Sequence, residues 1–280
     1  MPFNRPIWLE DGARRRQIDP SAAEREDAFF GFERIQAREK TARVVKHFDS
    51  VAAVYDGMNT LLSFGIHHAW KRAGVRMLNL RPGERVLDVC GGTGDLAILA
   101  ARRVGRRGRV VIYDINRAMI AAGMHKVLGK PLQERIRYVQ GDAERIAFPD
   151  RSFDAAMVGF GIRNVTRMRQ GFAEMHRVLK PGGRLMCLEF SRPVWPVFRW
   201  LYDVYSFAIM PILGELIAGS RTAYTHLPES IRMFPLPHEL ADMLRQVGFS
   251  QVGHHGFTNG IAVVHLAVKE SNWEARKASR

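Results

Sequence analysis

From Arg85 onward the chain alternates short apolar runs with segments of helical periodicity, and this alternation restricts the fold more than any other feature. Val86-Leu87-Asp88-Val89 runs into a glycine cluster, and a helix is predicted over 96–104. Further strands are predicted over 110–113, 136–139 and 153–158, with helices over 115–128 and 167–179. The turn Lys180-Pro181-Gly182-Gly183 precedes a fifth strand over 184–190. Apolar strands alternating with helices call for a parallel sheet covered on both faces. After an apolar insert come a helix over 237–247 and two strands near 251–257 and 261–268. The turn Thr258-Asn259-Gly260 between them is too short for a crossover, so this pair is an antiparallel hairpin. The expected fold is α/β, with a seven-stranded, mostly parallel sheet ending in that hairpin.

The remaining sequence bounds the class. The 280 residues read as one domain over 31–270, with a polar extension over 1–30 and a polar tail over 271–280. The extension has no apolar core behind Arg14-Arg15-Arg16 and is not poor in acids, so it reads as neither a signal nor a transit peptide. A helix over 39–48 fits the spacing of Val44, Val45 and Phe48. Cys90 and Cys187 form no CxxC pair, which excludes a disulfide scaffold and a cysteine zinc site. Forty-two basic against 28 acidic residues give a net charge of +14, which suggests an anionic partner such as nucleic acid, an acidic membrane surface or a phosphorylated substrate.

The run Asp88-Val-Cys-Gly-Gly-Thr-Gly94-Asp-Leu-Ala97 joins the first strand of the alternation to its helix. Gly92-x-Gly94-x-x-Ala97 lets backbone approach a ligand at a helix N-terminus, and Asp114 stands where a carboxylate would grip two ribose hydroxyls. Alone, such a loop is an ordinary strand-to-helix turn. Asp142 could be a helix cap and Lys180–Gly183 a type II turn. Their joint occurrence in order, with the terminal hairpin, favours S-adenosylmethionine over NAD. Asp142 can then accept from an adenine amino group while the Ala143 N–H meets a ring nitrogen.

Several longer runs sharpen this. Val54-Tyr55-Asp56-x-Met58-Asn59, Ser63-Phe-Gly-Ile-His67-x-x-Trp70-Lys71-Arg72, Gly91-Gly-Thr-Gly-Asp95, Asp114-Ile-Asn116, Phe160-Gly-Ile-Arg-Asn-Val165, Leu179-Lys-Pro-Gly-Gly-Arg184, Leu188-Glu-Phe-Ser191 and Glu229-Ser-Ile-Arg232 stand in order. The chain resembles the ubiquinone/menaquinone biosynthesis C-methyltransferases from about Phe30 to Val268. The resemblance implies a Rossmann-like class I fold and transfer of methyl from S-adenosylmethionine to a ring carbon of a polyprenylated benzoquinol or naphthoquinol. It also implies that Gly92, Thr93, Gly94, Asp114, Asp142 and Ala143 hold the cofactor. Two positions depart from the family pattern: Cys90 replaces Ala, and Gly159 replaces the Ser of many members, removing a hydroxyl contact.

A quinol carbon becomes nucleophilic when a ring hydroxyl loses its proton. Arg163 is expected to hold the developing oxyanion and Asn164 to orient it, with water or Tyr55 taking the proton. The competing readings are a surface salt bridge for Arg163, a turn or cap for Asn164 and a core aromatic for Tyr55. No metal set is expected, since His67-His68 and His254-His255 are adjacent pairs without a His/carboxylate cluster. The apolar insert at about 193–232 reads as a cap over an apolar substrate, with core or a dimer contact as the alternative. Its longest charge-free stretch, 204–214, is too short for a bilayer needing about 20 residues. A peripheral enzyme at the inner, cytoplasmic face of the membrane follows, with a homo-oligomer or a quinone-biosynthesis complex left open. A nucleic-acid methyltransferase is the rival, supported by Arg102, Arg103, Arg106, Arg107 and Arg109. The sequence 159–164 lacks the Asn/Asp-Pro-Pro-Tyr of amino-methylating enzymes, so no nucleic-acid partner is expected. A non-catalytic cofactor-binding subunit also stays open.

Overall fold

A computed structural model describes residues 26–271. The arginine triplet and most of the polar extension, and residues 272–280 of the tail, lie outside them. The described chain opens with a hairpin of β1 (Asp27–Phe30) and β2 (Glu33–Gln36), turned at Gly31. This hairpin lies partly within the stretch read as the polar extension. The charged surroundings hide this strand because only Ala28 of β1 is buried. Helices α1 (Ala37–Val51), α2 (Tyr55–Leu62) and α3 (Ile66–Met77) then lead to the sheet.

The sheet alternation follows as α4 (Asp95–Val104) after β3 (Arg85–Val89), α5 (Arg117–Val127) after β4 (Arg109–Asp114), then β5 (Ile136–Gln140), β6 (Phe153–Gly159), α6 (Met168–Val178) and β7 (Leu179–Phe190). Helix α10 (Pro237–Val247) precedes β8 (Phe249–Phe257) and β9 (Ala262–Lys269). The order across the sheet is β5-β4-β3-β6-β7-β9-β8, parallel from β5 to β7 and antiparallel at β9 and β8. The last strand of the hairpin, β9, inserts between β7 and β8.

Burial on both faces explains why the parallel strands read as continuous apolar runs. Leu87 and Val89 pack on one side with Phe153, Phe172 and Leu244. Val86 packs on the other with Ala97, Ala100, Val110 and Val264. One boundary differs from expectation. Lys180–Gly183 lies inside β7 rather than before it: Leu179 pairs with Phe153 and Arg184 with Ala155, a bulge that absorbs the extra residues. Gly182, at φ +75°, makes the kink.

The insert after β7 is helical throughout: α7 (Pro196–Val204), a π-turn (Tyr205–Ile209), α8 (Met210–Ala218) and α9 (Arg221–Met233). Residues Pro196–Ile217 make a 22-residue helix long and apolar enough, by length and composition alone, to cross a membrane. The eleven-residue charge-free stretch is shorter because Asp203 and Glu215 bound it without ending the helix. Asp203 pairs with the fully buried Arg232, Glu215 pairs with Arg221, and Arg199 donates to the Pro193 and Val194 carbonyls. The arginine run 102–109 sits where α4 ends and β4 begins, at the amino edge of the sheet and away from its ligand-binding edge.

Candidate active site

The carboxyl ends of β3, β4 and β6 open into a cavity of about 310 Å³ covered by α1, α2 and the helices of the insert. Tyr55, Gly92, Thr93, Asp114, Asp142, Ala143, Arg163 and Asn164 all line it. Gly94 does not; it shapes the loop from behind. It caps α4 at φ +80°, where a Cβ would stand 2.7 Å from Ile112 Cδ1.

Asp114 organises the loop. Its Oδ2 accepts from the Gly92 N–H at 2.8 Å and its Oδ1 from the Asn116 N–H at 2.8 Å. Burial pushes its carboxyl above the usual range, and these backbone donors pull it back. A carboxylate has about four acceptor positions, so both oxygens keep capacity for a ligand. No helix follows Asp142 for it to cap: its Oδ1 closes a turn by accepting from the Glu144 N–H at 2.9 Å, which leaves Oδ2 for the cavity. At the end of β3, Asp88 is fully buried and neither carboxylate oxygen has a hydrogen-bond partner. Its burial raises the carboxyl well above its ordinary value.

An ionic chain ties the α1–α2 layer to this loop. Thr93 Oγ1 donates to Asp56 Oδ1 at 2.7 Å and accepts from Lys126 Nζ at 2.9 Å. Lys126 also reaches Asp56 Oδ2 at 2.5 Å and Asp95 Oδ1 at 2.6 Å, and Lys71 holds Asp95 Oδ2 at 2.8 Å. Asn116 Nδ2 donates to Asp49 Oδ1 and to the Val45 carbonyl on α1. Contrary to expectation, a His/carboxylate cluster does form, with His67, His68 and Asp95 offering ligand atoms within 4.8 Å of one another. Sequence adjacency of the histidines hid it because Asp95 arrives from a different helix. Two lysine ammoniums already occupy the Asp95 oxygens and hold its carboxyl far below the usual range, so a cation there would meet like charge.

At the opposite end stands Arg163, on a short 3-10 turn (Ile162–Asn164) after β6. Its partner is not at the surface. Nη1 contacts Glu189 Oε2 at 2.9 Å and the Phe160 carbonyl at 2.5 Å, with Arg163 7% and Glu189 1% exposed. Nε is buried without a partner, and the guanidinium lies 5.6 Å from the centroid of Phe190. This pairing replaces the surface salt bridge considered above with a buried ion pair. Nη2 is left uncommitted. Asn164 lines the cavity beside it. Burial raises the Tyr55 hydroxyl while the Arg163 charge opposes the shift, so the hydroxyl holds its proton more firmly than a free tyrosine does. Gly159 lies against Leu96, whose Cδ1 would stand 2.5 Å from an added Cβ. A side chain at this position would have to displace the end of Leu96.

Glu189 was the residue missed by sequence reasoning. Its signal was available: an acidic residue inside an apolar strand covered on both faces. His47 and His226 also line the cavity, and nothing local in the sequence marks them.

The sequence profile described as the ubiE/COQ5 methyltransferase family matches residues 36–269. The chain belongs to that family. A relative named ubiquinone/menaquinone biosynthesis C-methyltransferase UbiE, from Legionella pneumophila strain Corby, is 44% identical over 89% of this chain and 99% of its own length. The protein of the same name from Stutzerimonas stutzeri is 45% identical over 86% and 94%. A crystal structure of a SAM-dependent methyltransferase from Thermotoga maritima superposes with a TM-score of 0.57, covering 80% of this chain and 99% of that one at 19% identity. The family and fold are those of S-adenosylmethionine-dependent methyltransferases, as the order of strands and the glycine loop anticipated.

Proposed function

We propose that this chain methylates a ring carbon of a polyprenylated quinol in ubiquinone or menaquinone biosynthesis. The observation that carries the reading is the cavity itself, with a cofactor loop at one end, the buried Arg163–Glu189 pair at the other and an apolar cap above. The residues fit S-adenosylmethionine, which when bound supplies an electrophilic methyl on a sulfonium sulfur. Asp114 would hold ribose hydroxyls, Asp142 and Ala143 the adenine edge, and Gly92 and Thr93 the chain between them. The unpartnered carboxyl of Asp88 suits the ammonium of the amino-acid portion. Arg163, fixed by Glu189, presents Nη2 to the ring oxygen as negative charge develops, and Asn164 aligns that oxygen. Tyr55 donates a hydrogen bond to the ring's oxygens.

The reading extends to the membrane. Trp195, Val197, Trp200, Leu216 and Ile217 lie exposed along the insert, and Phe64, 78% exposed, lines the cavity mouth with its ring 6.0 Å from that of Tyr205. The cavity is open on the side of Phe64, and the prenyl tail would leave past that residue into lipid. The enzyme works as a peripheral protein at the cytoplasmic face, the exposed tryptophans at headgroup level. The test is purified protein with labelled S-adenosylmethionine and reduced demethylated quinol in vesicles. The expected product gains one methyl on a ring carbon, and no label enters added RNA or DNA. Label in nucleic acid with none in quinol would replace this reading with the rival; label in neither would leave only a cofactor-binding subunit.

A further inference from the structure

The proton that leaves the quinol hydroxyl has no acceptor among the residues assigned so far. Tyr55 is held protonated, and Arg163 keeps its proton at any working pH. On the cap side of the cavity stand two imidazoles, His47 on α1 and His226 on α9, with ring centroids 5.1 Å apart. His226 is nearly buried and stacks on Phe30 at 3.8 Å with the planes 15° apart. Its Nδ1 is buried without a partner beneath the β1–β2 turn, where a Cβ on Gly31 would stand 3.2 Å away. Nε2 is therefore the ring nitrogen left to meet a ligand in the cavity.

We infer, on the reading of this chain as a quinol methylase, that His226 accepts the ring-hydroxyl proton through Nε2. The O–H bond breaks, the proton goes to Nε2, and the electron pair stays on oxygen as phenolate beside Arg163. The ring carbon then forms its bond to the methyl as the methyl–sulfur bond breaks, with that pair staying on sulfur. The ring C–H proton leaves to water and the proton on His226 returns to the oxygen. The hydroxyl is restored and one proton is released overall.

The groups facing the ring keep it neutral and ready to accept, at the expense of basicity. They are Lys40 and His47 from α1, Arg163 from the 3-10 turn and Glu229 from α9 itself, whose carboxylate accepts from the Phe32 N–H. Burial first, then His47, Arg163 and Lys40, lower His226 to about 3. Burial and Arg163 lower His47 to about 4, and burial lowers Lys40 to about 8. Both imidazoles are therefore neutral, and Lys40 is charged, from about pH 5.5 to 7.5. So weak a base is a poor acceptor for a free phenol, but the phenolate it creates supplies the opposite charge that raises its basicity during transfer.

The test uses His226→Phe, which keeps the stack on Phe30, and His226→Ala, which leaves room for exogenous imidazole. Wild-type kcat should be level across that pH window. In His226→Phe it should fall by about 10²–10⁴-fold and then rise about tenfold per pH unit, since the quinol must ionise unaided. KM for quinol and affinity for S-adenosylhomocysteine should change little, and imidazole should rescue His226→Ala. A lowered but level pH profile together with no rescue would reduce His226 to a packing residue, and a wild-type rate in His226→Phe would remove it altogether. If the wild-type protein methylates no quinol, the functional reading fails instead of this one.

Discussion

Replacing Arg163 with Met isolates the energetics of the buried pair. Glu189 is 1% exposed, and its carboxyl is already raised by burial, with Arg163 the main force holding it down. Without the guanidinium, the carboxylate must either stay charged in an apolar site or take a proton. Protonation is the cheaper route. Protonation at pH 7 costs at most the distance from the ordinary Glu value of 4.5, about 2.5 pH units or about 3.4 kcal/mol, and the deficit against wild type is smaller by what its own raised carboxyl already costs. That ceiling agrees with about 3–5 kcal/mol for breaking a buried pair from one side. It corresponds to a fall in melting temperature of at most roughly 7–14 °C for a domain of this size. The sign follows from linkage: a carboxyl whose folded pKa is raised binds more protons in the folded state, so the variant loses stability as pH rises through 4.5. The deficit should shrink to no more than about 0.7 kcal/mol at pH 5. Thermal melts of both proteins at pH 5 and 7 measure it. Arg163→Met with Glu189→Leu should regain most of the stability, yet turn over about 10²–10³-fold slower if Arg163 stabilises the phenolate. An equal melting deficit at both pH values would refute the argument from Glu189, and normal turnover in the folded double variant would remove Arg163 from the chemistry.

Asp114→Ala should weaken S-adenosylhomocysteine binding by about 1–3 kcal/mol, because the Gly92 and Asn116 amides lose their acceptor as the ligand loses its own; calorimetry showing unchanged affinity would unseat Asp114. Methylation should require reduced quinol, since only a quinol can supply a phenolate; equal initial rates with and without reductant would contradict this. Gly159→Ser should cost about 1–3 kcal/mol by overpacking against Leu96, and Leu96→Ala in the same chain should recover part of it, as followed by melting temperature. Trp200→Ser with Leu216→Ser should reduce sedimentation with anionic vesicles while leaving the affinity for S-adenosylhomocysteine intact; unchanged sedimentation would move the membrane contact elsewhere.

What could be read from the sequence was set by local periodicity. Strands such as Val110–Tyr113 were visible because the chain is apolar without interruption where both faces of the sheet are covered. Asp114 was found by its distance from a glycine loop, a spacing fixed by one helix and one strand. What escaped was nonlocal. Arg163 could be named, but its partner Glu189 comes from the neighbouring strand, 26 residues on. The Phe30–His226–His47 stack joins β1, α9 and α1, and no window of sequence contains all three. The stretch 204–214 is charge-free only between Asp203 and Glu215, whereas the helix continues through both charges to span Pro196–Ile217.

The contacts from Asp56 to Thr93 and Lys126, and from Asn116 to Asp49, bear on timing as well as on shape. They close α1 and α2 over the end of the cavity where the cofactor loop lies. Lifting these helices to exchange cofactor would first have to break these contacts. The Asp56 and Lys126 side chains remain 39% and 24% exposed, so dissolved salt screens the ion pair. The Arg163–Glu189 pair is out of reach of salt. Raising ionic strength should therefore hasten cofactor exchange and leave the chemical step unaltered. If exchange limits the catalytic cycle, steady-state turnover will climb with salt while single-turnover rates hold constant, making ionic strength a control over one half of the cycle alone.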